Sequence, residues 1–380
     1  MKLPPISASS VVVLPDSDSR LRYDYQFTVH GSSGLLMLVH SGGGDVLKEV
    51  INSKHNEPEE HIDCAVDLIE NALASRSNKY ECRYVLGLTG KDLSLVKKFE
   101  HRFELLFDSG VLWPNCHSIE AQQYISQAST TVDAASKVLI VRHLLEHARD
   151  LDRFLLGLRN LVGLAGLCYL EVPDSTGLIN HGDLTQLWEE HVYYFTPKKL
   201  RSSLEKAGFE ILAERNTKSH GEDICMIVVA CSETVSYCEL TCAPLDDETF
   251  IFLEKLPKQL TRVQCNLNEC SQNREIYLFG ANHVAGFFVD VARPASRLIR
   301  IVLDDDSSKE GFVLGIDKLP IRRPAAYFDG GRVHLLVALS EGRVPKLYDR
   351  LRTCFPERNG HIVESLTSFY RGAWTDANSN

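Results

Sequence analysis

The strongest constraint on this chain is the regular alternation of two segment types between residues 82 and 232. CRYVLGL (82–88), SKVLIVRHL (136–144) and GLCYLEVP (166–173) are short, apolar and bounded by turn residues, as strands buried on both faces are. LSLVKKFEHRF (93–103) and DLDRFLLGLRNLV (150–162) carry their apolar residues at helical spacing. Parallel neighbours need a crossover, and a strand buried on both faces needs helices above and below it. The alternation therefore predicts a mainly parallel α/β sheet with helices on both sides. FELLFD (103–108) adds a strand. EILAERN (210–216) and ICMIVVACS (224–232) follow one another without a helix, which predicts an antiparallel edge. The helix TPKKLRSSLEKAGF starts with Thr196 as N-cap and Pro197 at its first position, and Gly208 is its stop.

The rhythm differs on either side. Residues 1–57 read as short β segments and turns, and EPEEHIDCAVDLIENALAS as an amphipathic helix with acids in its first turn. Beyond an acidic, helix-like connector, strand and helix alternate again through EIYLFGANHVAGFFVDVA, LIRIVLDDD and VHLLVALS. At 380 residues the chain exceeds one compact core, and three units are expected: 1–76, 77–232 and 233–380. A net charge of −10 disfavours nucleic acid and anionic membranes as partners. With no long apolar run and no cationic-then-apolar start, the sequence predicts neither a membrane span nor a signal peptide, and a cytoplasmic location with reduced thiols.

Three motifs in order carry a resemblance. His143 to His147 form H-x-L-E-H, Glu171 to Pro173 form E-V-P, and Glu190 to Phe195 form E-H-x-x-Y-F. Together they resemble the S-adenosylmethionine-dependent sugar C-methyltransferases, which methylate a nucleotide-linked 4-keto deoxysugar at carbon 3. The resemblance implies a class I methyltransferase Rossmann-like sheet, a small β-rich N-terminal module and a second Rossmann-like C-terminal domain. Asp304 to Gly311 and Gly315 to Ile321 match pieces of that last domain, and its Gly280-Ala281-Asn282 loop faces the sugar-nucleotide side or is structural.

The resemblance also implies roles. S-adenosylmethionine is the expected cofactor, held by Thr89, Gly90 and Asp92 in the loop after the first strand, by Asp108 at a ribose, and by His143. C-methylation beside a ketone needs a base, and His191 is implied as that base, with Glu190 orienting it and Tyr194 on substrate oxygens. His220 in SHGED is the candidate donor toward the enolate. Trp188 stands where the family commonly has a tyrosine.

Other positions depart from the pattern. The family's N-terminal module binds zinc through cysteines, but His30 and Ser33 occupy one pair of those places and ISASS (6–10) has no cysteine, so zinc is expected to be absent. In the cofactor loop two glycines are replaced, with Thr89 and Leu93 at the matching places, where side chains can crowd a ligand. The turn usual before the fifth strand is Leu164 to Gly166 here. Two functions remain open: a C-methyltransferase of a keto sugar or related small molecule, or a catalytically degenerate relative that binds a protein partner.

Overall fold

A computed structural model of the chain describes residues 6–7, 12–13, 22–23, 25–31, 33–40, 58–76, 82, 84–105, 121, 123–125, 137–188, 190–219, 221–233, 247–315, 317–324, 331–339 and 344–377. Asp108, His220 and residues 8–10 lie outside these.

The N-terminal segments contribute β1 (Ile6–Ser7), β2 (Val12–Val13), β3 (Arg22–Tyr23), β4 (Tyr25–Val29) and β5 (Leu36–His40). β4 and β5 form an antiparallel hairpin. The helix Glu59–Arg76 follows, with Glu59 and Glu60 at its N-terminus and Arg76 in its last turn, both favourable to the helix dipole.

The first large sheet is built from β6 (Tyr84–Gly87), β7 (Glu104–Leu105), β8 (Lys137–Arg142) and β9 (Leu167–Pro173). After the two-residue β10 (Tyr193–Tyr194), β11 (Phe209–Ser219) and β12 (Glu222–Cys231) complete it. Its order is β11-β12-β9-β8-β6-β7. β7, β6, β8 and β9 run parallel, while β12 is antiparallel to both its neighbours. This is the class I methyltransferase Rossmann-like arrangement, with the antiparallel edge at the predicted place. All six residues of β8 are buried, and apolar clusters cover both faces of the sheet.

Local rules place the helices. Asp150 caps Leu151–Val162 by accepting from the Arg153 amide at 3.0 Å, and Thr196 caps Pro197–Lys206 by accepting from Lys199. Gly208, at φ +82°, takes the left-handed turn that ends the latter. The helix expected over 93–103 runs only Leu93–Lys98, and Phe99 and Phe103 turn into the core beneath the sheet instead.

A second sheet contains β13 (Glu275–Phe279), β14 (Ile299–Leu303), β15 (Val313–Leu314), β16 (Leu319–Arg322), β17 (Val333–Val337) and β18 (Ile362–Ser365). Its order is β18-β17-β13-β14-β16-β15-β2, parallel from β18 to β16. One apolar cluster joins the hairpin to this sheet through Phe27, Leu178, Tyr194, Phe252, Leu278 and Trp374. No helix of the described residues is long and apolar enough to cross a membrane.

Candidate active site

In the first sheet the chain leaves β6 toward one edge and β8 toward the other. The loops after these two strands, Leu88–Asp92 and His143–His147, therefore flank the crevice where open α/β sheets bind ligands. Beneath the crevice lies a charged knot. Glu171, the fifth residue of β9, is fully enclosed, and its carboxylate accepts from Arg142 Nε and Nη2 (2.9 and 3.0 Å) and from the Tyr169 hydroxyl (2.8 Å). His61 Nε2 and His143 Nε2 each stand 3.0 Å from Oε1. Burial alone would raise its pKa; the Arg142 guanidinium, with His143 and His61, holds it well below the usual range. Arg142 also donates through Nη1 to the Lys91 carbonyl at 2.8 Å, tying β8 to the loop after β6.

His143 has φ +51°, sterically unusual for a residue with a Cβ, and the turn points its ring between two carboxylates. Its Nδ1 stands 3.4 Å from Glu146 Oε1. Burial works against its charged form, but Glu146 and Glu171 outweigh that and raise its pKa to about 9.

Three residues ahead, Glu146, His147 and His191 converge; a carboxylate oxygen and one nitrogen of each ring lie within 4.8 Å of one another. The two imidazoles meet edge to face, with centroids 4.8 Å apart. His147 Nδ1 is 2.9 Å from the Glu190 carbonyl, so that nitrogen carries the ring proton. Burial lowers the pKa of both rings, that of His191 well below its ordinary value, and the Glu146 carboxylate does not reverse it. Both rings are neutral at neutral pH. His191, the residue implied as base, is half-buried at the crevice, and the burial that keeps its ring neutral also makes it a weaker base.

Of the loop residues, Gly90 is exposed, while Thr89 and Asp92 are buried. Asp92 Oδ2 accepts from the amides of Leu88 (2.9 Å) and Thr89 (2.7 Å) and from the Thr89 hydroxyl (3.2 Å). The Thr89 side chain is thereby turned inward onto Asp92. Burial pushes the Asp92 carboxyl up to about 6, against the opposing pull of Arg142 and these donors.

Tyr194 is a core residue here. Its hydroxyl donates to the Trp188 carbonyl at 3.1 Å, and its ring meets Phe27 edge to face at 6.2 Å. Tyr193 and Tyr194 pair with Met37 and Leu36 of β5, so the N-terminal hairpin braces the strand that follows His191. Trp188 stacks on His191 at 6.1 Å and contacts His283 at 3.8 Å between ring centroids, which brings the second sheet's first helix to the crevice. The Glu190 side chain is half-buried, and its carbonyl serves His147. In the hairpin, His30 Nδ1 and Ser33 Oγ are hydrogen-bonded to one another at 2.8 Å.

The second sheet's equivalent loop is closed. Asp304 Oδ2 accepts from the Ala281 amide and from Lys309 Nζ, and Oδ1 accepts from the Asp306 amide. Gly280, at φ +95°, makes the turn, and Asn282 caps the helix that follows. Arg142, Glu146, His61 and His283 were not singled out by sequence. Arg142 and Glu171 are 29 residues apart and His61 is 110 from Glu171, so no local spacing joins them, although the E-V-P and H-x-L-E-H motifs hold Glu171 and His143.

No protein-family model matches the sequence, and neither does any curated protein. Among solved structures the chain is similar to a putative S-adenosylmethionine-dependent methyltransferase from Listeria monocytogenes. That likeness has 12% identity and a TM-score of 0.29, over 43% of this chain and 100% of the other. It is also similar to the complex of the Haloferax volcanii Trm112 methyltransferase activator with a putative methyltransferase (10%, TM-score 0.31, 46% and 93%). A third is magnesium protoporphyrin IX methyltransferase from Synechocystis PCC 6803 with bound S-adenosylmethionine (14%, TM-score 0.29, 45% and 80%). Likenesses at such scores add no weight, and the fold is read from the strand order itself.

Proposed function

We propose that the chain is a cytoplasmic S-adenosylmethionine-dependent C-methyltransferase acting on a small ketone-bearing molecule, a nucleotide-linked keto sugar by the sequence resemblance. The observation that carries this reading is the neutral imidazole of His191 at the crevice of a class I methyltransferase sheet, held by Trp188, His147 and the Glu190 turn.

The loop residues fit the methionine end of the cofactor. Gly90, without a Cβ, is its exposed tip, and Thr89 is turned inward onto Asp92 rather than outward. Asp108 is assigned the ribose. Once bound, the cofactor supplies an electrophilic methyl group. His191 removes the proton from the carbon beside the ketone, and the electron pair of that C–H bond becomes the enolate nucleophile. His143, with its raised pKa, supplies positive charge beneath the developing oxyanion, and His220 is assigned a donor role toward it. Glu190 orients the His147–His191 pair, and Tyr194 keeps the Trp188 turn in place.

Calorimetry with S-adenosylmethionine tests the reading on the full chain. Saturable binding that survives His191→Ala, together with loss of methyl transfer in that variant, is the expected result; no heat at millimolar ligand overturns it. One observation favours the second reading, a degenerate scaffold that binds a protein partner: the loop amides of Leu88 and Thr89 are already engaged by Asp92. Absence of cofactor binding with an unchanged phenotype for His191→Ala is its signature.

A further inference from the structure

Glu146, His147 and His191 face one another, and no hydrogen bond joins Glu146 to either ring. The Glu190 carbonyl can only accept, so His147 Nδ1 bears the proton and Nε2 presents a lone pair, 3.9 Å from Glu146 Oε1. The Glu146 side chain is 2% exposed; against that burial the charged His143 ring beside it holds its pKa down to about 2, but no aligned hydrogen bond reaches either oxygen. His143 Nδ1 approaches Oε1 only, at 3.4 Å, as an ion pair without hydrogen-bond alignment. The face of the Glu146 carboxylate turned toward His147 and His191 therefore keeps unmet capacity next to an imidazole lone pair, which a cation in that gap would satisfy.

We propose that this gap holds one divalent transition-metal ion of the zinc class, bound by a Glu146 oxygen, His147 Nε2 and one nitrogen of His191. Two imidazoles and one carboxylate form a borderline donor set suited to such an ion, and three protein ligands leave a position for water or a substrate carbonyl oxygen. The Glu190 carbonyl on His147 Nδ1 is the outer partner that fixes a ligating imidazole's tautomer. The sizes agree. Ligand atoms at most 4.8 Å apart place a central ion no more than roughly 2.8 Å from each, so closing to ~2.1 Å needs side-chain shifts under about 1 Å.

The site stands without the C-methylation reading; its chemical role rests on that reading. An ion there would make His191 a ligand rather than the base, and its open position would supply either a bound water of lowered pKa or a contact to the substrate carbonyl oxygen.

The test uses the full chain, stripped with a chelator under reducing conditions and reloaded with Zn²⁺ or Co²⁺. One ion per chain is expected, with a nitrogen and oxygen shell bearing imidazole scattering by X-ray absorption. Glu146→Gln and His147→Ala are each expected to weaken binding tenfold or more, while His334→Ala in the second sheet leaves it unchanged. A sulfur shell, substoichiometric binding, or full affinity in both ligand variants overturns the proposal. The absorption spectrum of the unmutated chain decides even if a variant fails to fold. Because the readout is the ion itself, failure of cofactor binding leaves the result intact.

Discussion

The two parallel sheets of this chain share a design and differ in how it is finished. In each, a strand ends in a loop, the loop opens a helix or turn, and an aspartate accepts from the loop's amides: Asp92 from Leu88 and Thr89, Asp304 from Ala281. In the second sheet that aspartate is also neutralised by Lys309, and both its oxygens are engaged. Among the described residues, buried polar groups without a hydrogen-bond partner occur in both units: Asp92 Oδ1, both oxygens of Glu146 and His61 Nδ1 around the first sheet, and Gln259 Oε1, His334 Nδ1 and the Tyr370 hydroxyl around the second. Folded chains rarely leave such groups unmet, because each costs about 1–3 kcal/mol. Equal topology therefore does not mean an equal finish: Asp92 keeps one unmet oxygen in its loop, and Asp304 keeps none.

The largest expected effect tests whether the knot under the crevice supports that sheet. Glu171→Gln removes the charge facing Arg142, a fully buried guanidinium, and weakens the contacts from His61 and His143. Leaving a buried charge without its partner costs roughly 3–5 kcal/mol. Urea unfolding should show a loss of that size in the first sheet's transition. A loss below about 1 kcal/mol would mean that water reaches Arg142 and that the edge is open rather than enclosed.

Asp92 and Asp304 provide the next test. Asp92 binds its proton more tightly when folded, with a pKa of about 6 against 3.8. Between those values the native state holds more protons than the unfolded one, so stability falls as pH rises through the window and levels off above it. The span is up to about 3 kcal/mol. Asp92→Asn should abolish that slope in unfolding curves taken across the window. Asp304→Asn instead unpairs the partly exposed Lys309, for about 1 kcal/mol. If the slope persists in Asp92→Asn, it belongs to another buried group and the comparison between the two loops fails.

The same contrast explains what sequence could show. β8 reads KVLIVR because six consecutive residues lie between two helix layers, and the absence of a helix between β11 and β12 forecast their antiparallel pairing. Thr196 and Gly208 act within their own turn and were equally readable. β10 was not, because two tyrosines have no period; only pairing with Met37 and Leu36, more than 150 residues earlier, makes them a strand. The motif H-x-L-E-H supplied His143 as a candidate. That Glu146 would lack an aligned hydrogen bond depends on Val192, His191 and Glu190 folding back over it, which no local spacing encodes.

The smallest effect concerns the hairpin. His30 and Ser33 are hydrogen-bonded to one another, and that bond closes the turn. Ser33 Oγ also accepts from the Leu35 amide at 3.4 Å, and the His30 ring meets Tyr193 edge to face at 5.4 Å. Ser33→Ala should therefore cost about 1 kcal/mol, the usual net value of one hydrogen bond. Because β5 pairs with β10, the loss reaches the strand that follows His191, and fluorescence of Trp188 should shift with the hairpin rather than with global unfolding. Zinc added to the unmutated chain distinguishes the two ends of this path. Protection that disappears in Glu146→Gln but persists in His30→Ala places the ion at the crevice. The opposite pattern overturns the crevice site.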